Sequence, residues 1–317
     1  MILHEYNVTH PASWLLAITT GAIGSVGMPG NAFLMFLIMS DFRKRKPHEW
    51  LLFGLALGDF MLCFNNAVFE AAFIMNYERV ECKLGGVMDY IFGTLSFFTP
   101  PIVAYNRYLA LHNAPKYTEV FTNRNVLLAY TGVFLFGLMW VTPFIATDSL
   151  GQDDLGLCGT QIRTIPLAVI MGSVVAAIFM AYLAVLYFSY KVAMKIRNHK
   201  RGAVSHSNLQ SRLINEAQEI ITVMLIISAV PLFAQMPSAA LKMLNIFCPP
   251  FNPWLVRLLV APFPLTSAVN SYVTIYVVKE YRKSALSLFK KPPQIHPIES
   301  IPGEPKVAAS NSVKTCR

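Results

Sequence analysis

Seven apolar stretches decide what this chain can fold into. They run over residues 12–39, 49–75, 83–111, 125–147, 164–190, 213–244 and 253–278, with short polar connections between them. A helix rises about 1.5 Å per residue, so about 20 apolar residues cross the roughly 30 Å hydrocarbon core of a bilayer. Backbone N–H and C=O groups find no water at that depth and must pair within the segment, which makes each stretch helical. The expectation is an all-α membrane protein, a bundle of seven transmembrane helices in one domain over residues 12–279. Composition agrees, because only 14% of the residues are charged, against about 25% in a soluble domain.

An odd number of spans places the two ends on opposite sides of the membrane. Of the 26 Lys and Arg, 21 fall in the first loop, the third loop, the tail and the segments facing the same side, among them Arg43 to Lys46, Arg107, Lys191 to Arg201 and Lys279 to Arg317. The basic side is cytoplasmic, so the N-terminus lies outside and residues 1–11 form an extracellular segment. The net charge of +9 is then a topology signal and an attraction to lipid headgroups. Nucleic acid is not an expected partner. Asn7-Val8-Thr9 is a glycosylation sequon on the outer side. The first 11 residues are too few for a cleaved signal peptide, and the first span is expected to serve as the insertion signal.

Cys82 begins the third span and Cys158 lies in the loop before the fifth, both on the oxidising side. A disulfide tethering that loop to the third helix is the natural pairing. Cys63, inside the second span, reads as a small buried hydrophobe. No cysteine or histidine spacing resembles a metal site.

The third span carries the densest information. Cys82, Asp89 and Ser96 follow one another at seven-residue steps, each drifting only about 20° around a helix. From Asp89 to Arg107 is 18 residues, about five whole turns. The four residues therefore share one stripe, and an acid or guanidinium facing lipid costs at least about 2.5–3.5 kcal/mol. That stripe must face protein or trapped water, which makes this the central helix. In the second span, Asp59, Asn66 and Glu70 are expected within about 20° of one face. A carboxylate at mid-depth marks ion, proton or ligand work unless an internal partner such as Arg257 neutralises it. Gly24, Gly27 and Gly30 in the first span permit close approach of another helix, and Asn31 needs a hydrogen-bond partner. Pro231 and Pro237 in the sixth span imply a kink that can act as a pivot. Residues 280–291 alternate Tyr281, Leu286, Leu288 and Phe289 with Lys, a pattern for an amphipathic helix on the inner leaflet. Residues 292–317 are rich in Pro, Ser and Lys and are expected to be a disordered cytoplasmic tail.

Two function classes stay open at this point. A ligand receptor needs an outer cavity and an inner coupling face; a seven-helix channel or transporter needs a continuous polar lining. The intramembrane carboxylates are few, and no internal repeat of the inverted-transporter kind is evident. No nucleophile–base pair or metal cluster stands out, so an enzyme is not expected.

These residues together resemble a rhodopsin-like (class A) G-protein-coupled receptor over residues 12 to about 291. Gly30-Asn31 matches the family's first-helix pair. Leu55-Ala56-Leu57-Gly58-Asp59 matches Leu-Ala-x-x-Asp of the second. Cys82 stands 25 residues before Arg107, as the family spaces its disulfide cysteine and the arginine of Asp/Glu-Arg-Tyr. Asn270 and the Tyr281-Arg282 pair keep the family's seventh-helix distance. Departures are Asn106 for the acid before Arg107, Ser271 and Thr274 for the proline and tyrosine of Asn-Pro-x-x-Tyr, and Gln235 for a tryptophan. This drift is similar to nematode chemosensory receptors, whose third helix often reads Asn-Arg-Tyr.

The resemblance implies a plasma-membrane receptor that activates a heterotrimeric G protein when helix six moves, with Asn106, Arg107 and Tyr108 at the coupling face. It implies a sodium pocket of Asp59, Ser96, Ser267 and Asn270, with an allosteric sodium ion and no other cofactor. Asp89 matches the position that binds the ammonium of amine ligands, and it stays divided between ligand contact and internal pairing with Arg257 or Lys83. The extracellular ligand, cationic or another small molecule or peptide, is expected between helices two, three, six and seven near Glu70, Asp89, Gln235 and Trp254. A retinal-binding variant is set aside, because a Schiff base needs a mid-membrane lysine in helix seven and residues 253–278 contain none.

Overall fold

A computed structural model describes residues 11–40, 47–70, 79–152, 158–162, 164–201, 218–223, 225–227, 229–230, 233–244 and 252–289. Of residues 11–13, 69–70, 79–81, 152, 199–201, 242–243 and 253 it describes the backbone only. Asn7, Pro231, Cys248 and the tail from residue 290 lie outside the described residues.

The apolar stretches become helices close to their sequence limits. They are α1 (Pro11–Met39), α2 (Pro47–Asn65), α3 (Arg79–His112), α5 (Asn123–Ala146) and α6 (Ile165–Arg201), with a short α4 (Ala114–Val120) between α3 and α5. The sixth span is described as α7 (Gln218–Ile227) and α8 (Met236–Leu244). The seventh is α9 (Pro253–Val260) and α10 (Leu265–Val277), broken by turns at 261–264. Pro262 and Pro264 each lack an N–H, so the seventh stretch cannot run as one regular helix. The amphipathic segment forms α11 (Lys279–Phe289). Six spans among the described residues are long and apolar enough to cross a membrane. With the sixth stretch they make the seven-helix bundle.

Helix α3 is the hub, as its stripe requires. It packs against α2, α5, α6 and the hairpin that follows α5. The half of the bundle around the C-terminal end of α3 is filled by Ile38 of α1, Leu51 and Leu55 of α2, Val103 and Ala104 of α3, Val185 of α6 and Val223 of α7. Helix α1 reaches α10 closely because a Cβ at Gly27 would lie 2.8 Å from Ala268. There the Asn31 amide donates to the carbonyls of Gly27 (3.0 Å) and Ser267 (2.9 Å), so Asn31 is a helix-packing contact. Tyr130 of α5 lies over Gly54 of α2 and donates to the Leu51 carbonyl.

Two expectations about polar faces change. Residues Asn66–Glu70 form a π-helical turn, so the regular 100° step on which that face was counted does not hold there. Asn66 turns back to the Leu62 carbonyl at 2.9 Å. In α11, Tyr281 is buried against the bundle with Ala285, while Leu286 and Leu288 face outward.

At the end of the bundle where α3 begins, β1 (Leu150–Gln152) pairs antiparallel with β2 (Cys158–Thr160), opposing Leu150 to Thr160, Gly151 to Gly159 and Gln152 to Cys158. The Cys82–Cys158 disulfide pins this hairpin to the start of α3, with Cα atoms 4.9 Å apart. Lys83 pairs with Asp148 beside it, both partly exposed.

Candidate functional site

Beneath the hairpin lies a cavity of about 170 Å³. Its walls come from α3 (Asp89, Phe97), α5 (Trp140), α6 (Val174, Ile178) and the sixth span (Gln235, Met236), with Thr160 above and Phe263 beside it. The lining is mostly apolar because each helix turns its hydrophobic interior face here, leaving a few polar groups to orient a guest.

Asp89 and Gln235 both line this cavity. Trp254 does not; it is 51% exposed and is absent from the lining. The Glu70 side chain lies outside the described residues. The space opens between spans three, four, five and six, with Phe263 of the seventh stretch at its edge, and a local bond closes the flank toward span two. The Asn65 amide donates to the Gly85 carbonyl (3.2 Å) and to Asp89 Oδ1 (2.7 Å), stitching α2 to α3 on that flank. Asp89 is thus engaged inside the bundle, through Asn65 and not through Lys83, which is paired with Asp148. At the floor, Gln235 sits in a turn just before α8, and its Oε1 accepts the Tyr182 hydroxyl at 3.3 Å. The sixth span is therefore interrupted where it meets the cavity.

One layer deeper, Asp59 is completely buried. The Ser96 hydroxyl donates to Oδ1 and the Asn270 amide donates to Oδ2 at 2.7 Å, joining α2, α3 and α10 through one carboxylate. Ser267 lies on the same buried face and donates to the Pro264 carbonyl at 3.4 Å. The Asn270 side-chain oxygen Oδ1 is buried without a hydrogen-bond partner among the described residues. An orphaned acceptor beside a carboxylate and two hydroxyls is a set of hard oxygens, which suits a small cation such as sodium.

At the opposite end of the bundle from the hairpin Arg107 is buried. Asn106 is 0% exposed, and neither atom of its amide has a hydrogen-bond partner among the described residues. Leaving such a group unsatisfied costs about 1–3 kcal/mol. Tyr108 faces the other way, its ring 4.4 Å from His112 and 5.5 Å from Phe188 of α6 between centroids.

Sequence reasoning gave Glu219 no role. In the structure the Lys279 backbone N–H donates to Glu219 Oε2 at 3.0 Å, and Lys279 Nζ lies 3.0 Å from Oε1. A carboxylate on the sixth span thus caps the first turn of α11, where an anion meets free N–H groups and the positive end of the helix dipole. The signal was an acid on α7 matched by a helix start 60 residues on, a pairing that no local pattern announces.

A cavity on one side of a seven-helix bundle, a buried polar relay and a buried arginine on the other define the receptor class. A family model for the seven-transmembrane receptors of the rhodopsin family matches residues 30–274. Ceropsin of Bombyx mori is 26% identical over 200 residues, 59% of this chain and 51% of that protein. Melanopsin of Rattus norvegicus is 27% identical over 141 residues, 43% of this chain and 30% of that protein. The chain spans about half the length, or less, of these curated relatives. The crystal structure of squid rhodopsin has the same fold, with a TM-score of 0.76 at 17% identity over 91% of this chain and 90% of that one. The chain belongs to the rhodopsin-like (class A) G-protein-coupled receptors, a family of multi-pass membrane receptors and not of enzymes.

Proposed function

We propose that the protein is a plasma-membrane receptor, its N-terminus extracellular, that binds a small extracellular ligand in the cavity beneath the hairpin and activates a heterotrimeric G protein. The observation that carries this reading is Gln235. It lines the cavity and also occupies the turn that interrupts the sixth span, so a ligand there touches the helix whose inner end must move. The ligand shifts the population only insofar as it binds the open arrangement better than the resting one. Asp89 at the cavity would favour a cationic group, and Asp59, Ser96, Ser267 and Asn270 would hold a sodium ion that steadies the resting state. Opening of the sixth span would uncover Arg107, with Asn106 and Tyr108 beside it, to the G protein.

Retinal does not fit this reading. A Schiff base needs a lysine in the seventh span, and α9 and α10 carry none. A channel or transporter is not favoured either, because Leu51, Leu55, Val103, Val185 and Val223 fill the cytoplasmic half with apolar side chains. The test is to express the chain in cells with readouts for several G-protein classes and to screen small molecules. Ligand-dependent signalling that is lost in Arg107→Ala at equal surface expression supports the reading. Ligand responses that persist in that variant count against it.

A further inference from the structure

The polar groups around the cavity are not equally available. Thr94 donates to the Ile91 carbonyl at 2.7 Å, and Ser238 donates to the Gln235 carbonyl at 2.8 Å. Thr160 and the Tyr90 hydroxyl pair at 3.1 Å, and Asp89 accepts from Asn65 at 2.7 Å. The hydroxyl protons are committed to the protein's own fold, and Asp89, with a second carboxylate oxygen, offers a guest acceptors and no donor. Gln235 differs: it is 8% exposed, and its carbonyl oxygen is taken by the Tyr182 hydroxyl. A carboxamide whose oxygen is engaged has only its two N–H donors left to offer a guest. The volume adds a second limit. A cavity of about 150 Å³ lined by aliphatic and aromatic side chains takes a molecule the size of benzene, and this one measures about 170 Å³.

Resting on the receptor reading above, we propose that the cavity selects compact, mostly apolar molecules of roughly six to ten non-hydrogen atoms carrying one hydrogen-bond acceptor, which the Gln235 amide donates to. Ketones, aldehydes, esters and ethers of that size are the chemical class. Tyr182 acts as a positioning residue: its hydroxyl fixes the amide so that the donor end is free for the acceptor. Because Gln235 lies at the interruption of the sixth span, the bond that identifies the ligand also falls where that helix bends.

The test uses the full chain in lipid nanodiscs, with binding read directly by ligand-observed magnetic resonance or thermal shift, independently of signalling. Acetophenone and its hydrocarbon isostere cumene are compared, together with a panel of small ketones, esters and ethers against matched hydrocarbons. The oxygenated member of each pair is expected to bind about five- to tenfold tighter, the worth of one net hydrogen bond. Gln235→Leu should bring each pair close to parity without weakening the hydrocarbon. Tyr182→Phe, a milder change that keeps the ring, should reduce the preference about two- to threefold. Equal binding of the isosteres to the wild type, a preference that survives in Gln235→Leu, or no binding across the panel overturns the proposal. Guanine-nucleotide exchange is measured on the same samples. Binding without exchange sinks the receptor reading and leaves this inference standing; exchange driven only by large ligands does the reverse.

Discussion

Removing the Glu219 carboxylate should raise signalling in the absence of ligand. Its two contacts both reach across to Lys279, one to the backbone N–H at 3.0 Å and one to Nζ at 3.0 Å. The N–H contact is a helix cap, worth about 0.5–2 kcal/mol and typically about 1. The ion pair is more exposed, with Lys279 60% and Glu219 19% accessible, and pairs of that kind contribute about 0–1 kcal/mol. Glu219→Ala therefore removes about 1.5 kcal/mol that favours the closed sixth span, close to a tenfold shift in equilibrium. If the active form is about 1% of the resting population, it rises to about a tenth. Lys279→Ala keeps the backbone donor and should raise basal activity only about two- to threefold. The assay is nucleotide exchange on G protein by ligand-free receptor in nanodiscs, with surface expression measured in parallel. Unchanged basal exchange in Glu219→Ala, or a larger effect from Lys279→Ala, would refute the latch.

Other consequences follow from the same geometry. Asn106→Asp gives Arg107 an adjacent carboxylate and should lower ligand-free signalling, checked in the same exchange assay; an increase would contradict this role for Asn106. Asp89→Asn should abolish responses to any cationic agonist while surface expression persists, and retained potency would remove Asp89 from the pocket. Asp59→Asn takes away the charge at the buried oxygen cluster, so a sodium dependence of agonist binding seen in the wild type should vanish in the variant. Gly54→Leu pushes a side chain into the Tyr130 ring and should lower the thermal midpoint by overpacking worth about 1–3 kcal/mol. Tyr130→Phe, which loses only the hydroxyl bond to Leu51, should cost about 1 kcal/mol.

The sequence made the spans legible because the length of an apolar run is a local quantity. Helices α1, α3 and α5 end within a few residues of the limits read from hydrophobicity. The stripe on α3 was legible for the same reason, since a seven-residue step from Asp89 to Ser96 and an 18-residue step from Asp89 to Arg107 place all three on one face. The pairing of Cys82 with Cys158 followed from topology and compartment. What stayed hidden depends on partners distant in the chain. The π-helical turn at Asn66–Glu70 carries no proline or glycine to announce it. The hairpin at 150–160 has strands of three residues, too short for an alternating pattern to show. Gln235 was flagged as a departure, but its bond to Tyr182, 53 residues away, set its chemical role. Trp254, an aromatic near the outer end of a span, is half exposed and does not line this cavity, which its sequence position alone does not reveal.

The most direct test of the account is the distance between the cytoplasmic ends of α3 and the sixth span, measured by paired spin labels in purified receptor. With an activating ligand and G protein present, that distance should lengthen, and the lengthening should be lost when the ligand is withheld. A distance that stays fixed while ligand is bound and G protein is turning over would contradict the claim that this bundle signals by opening beside Arg107.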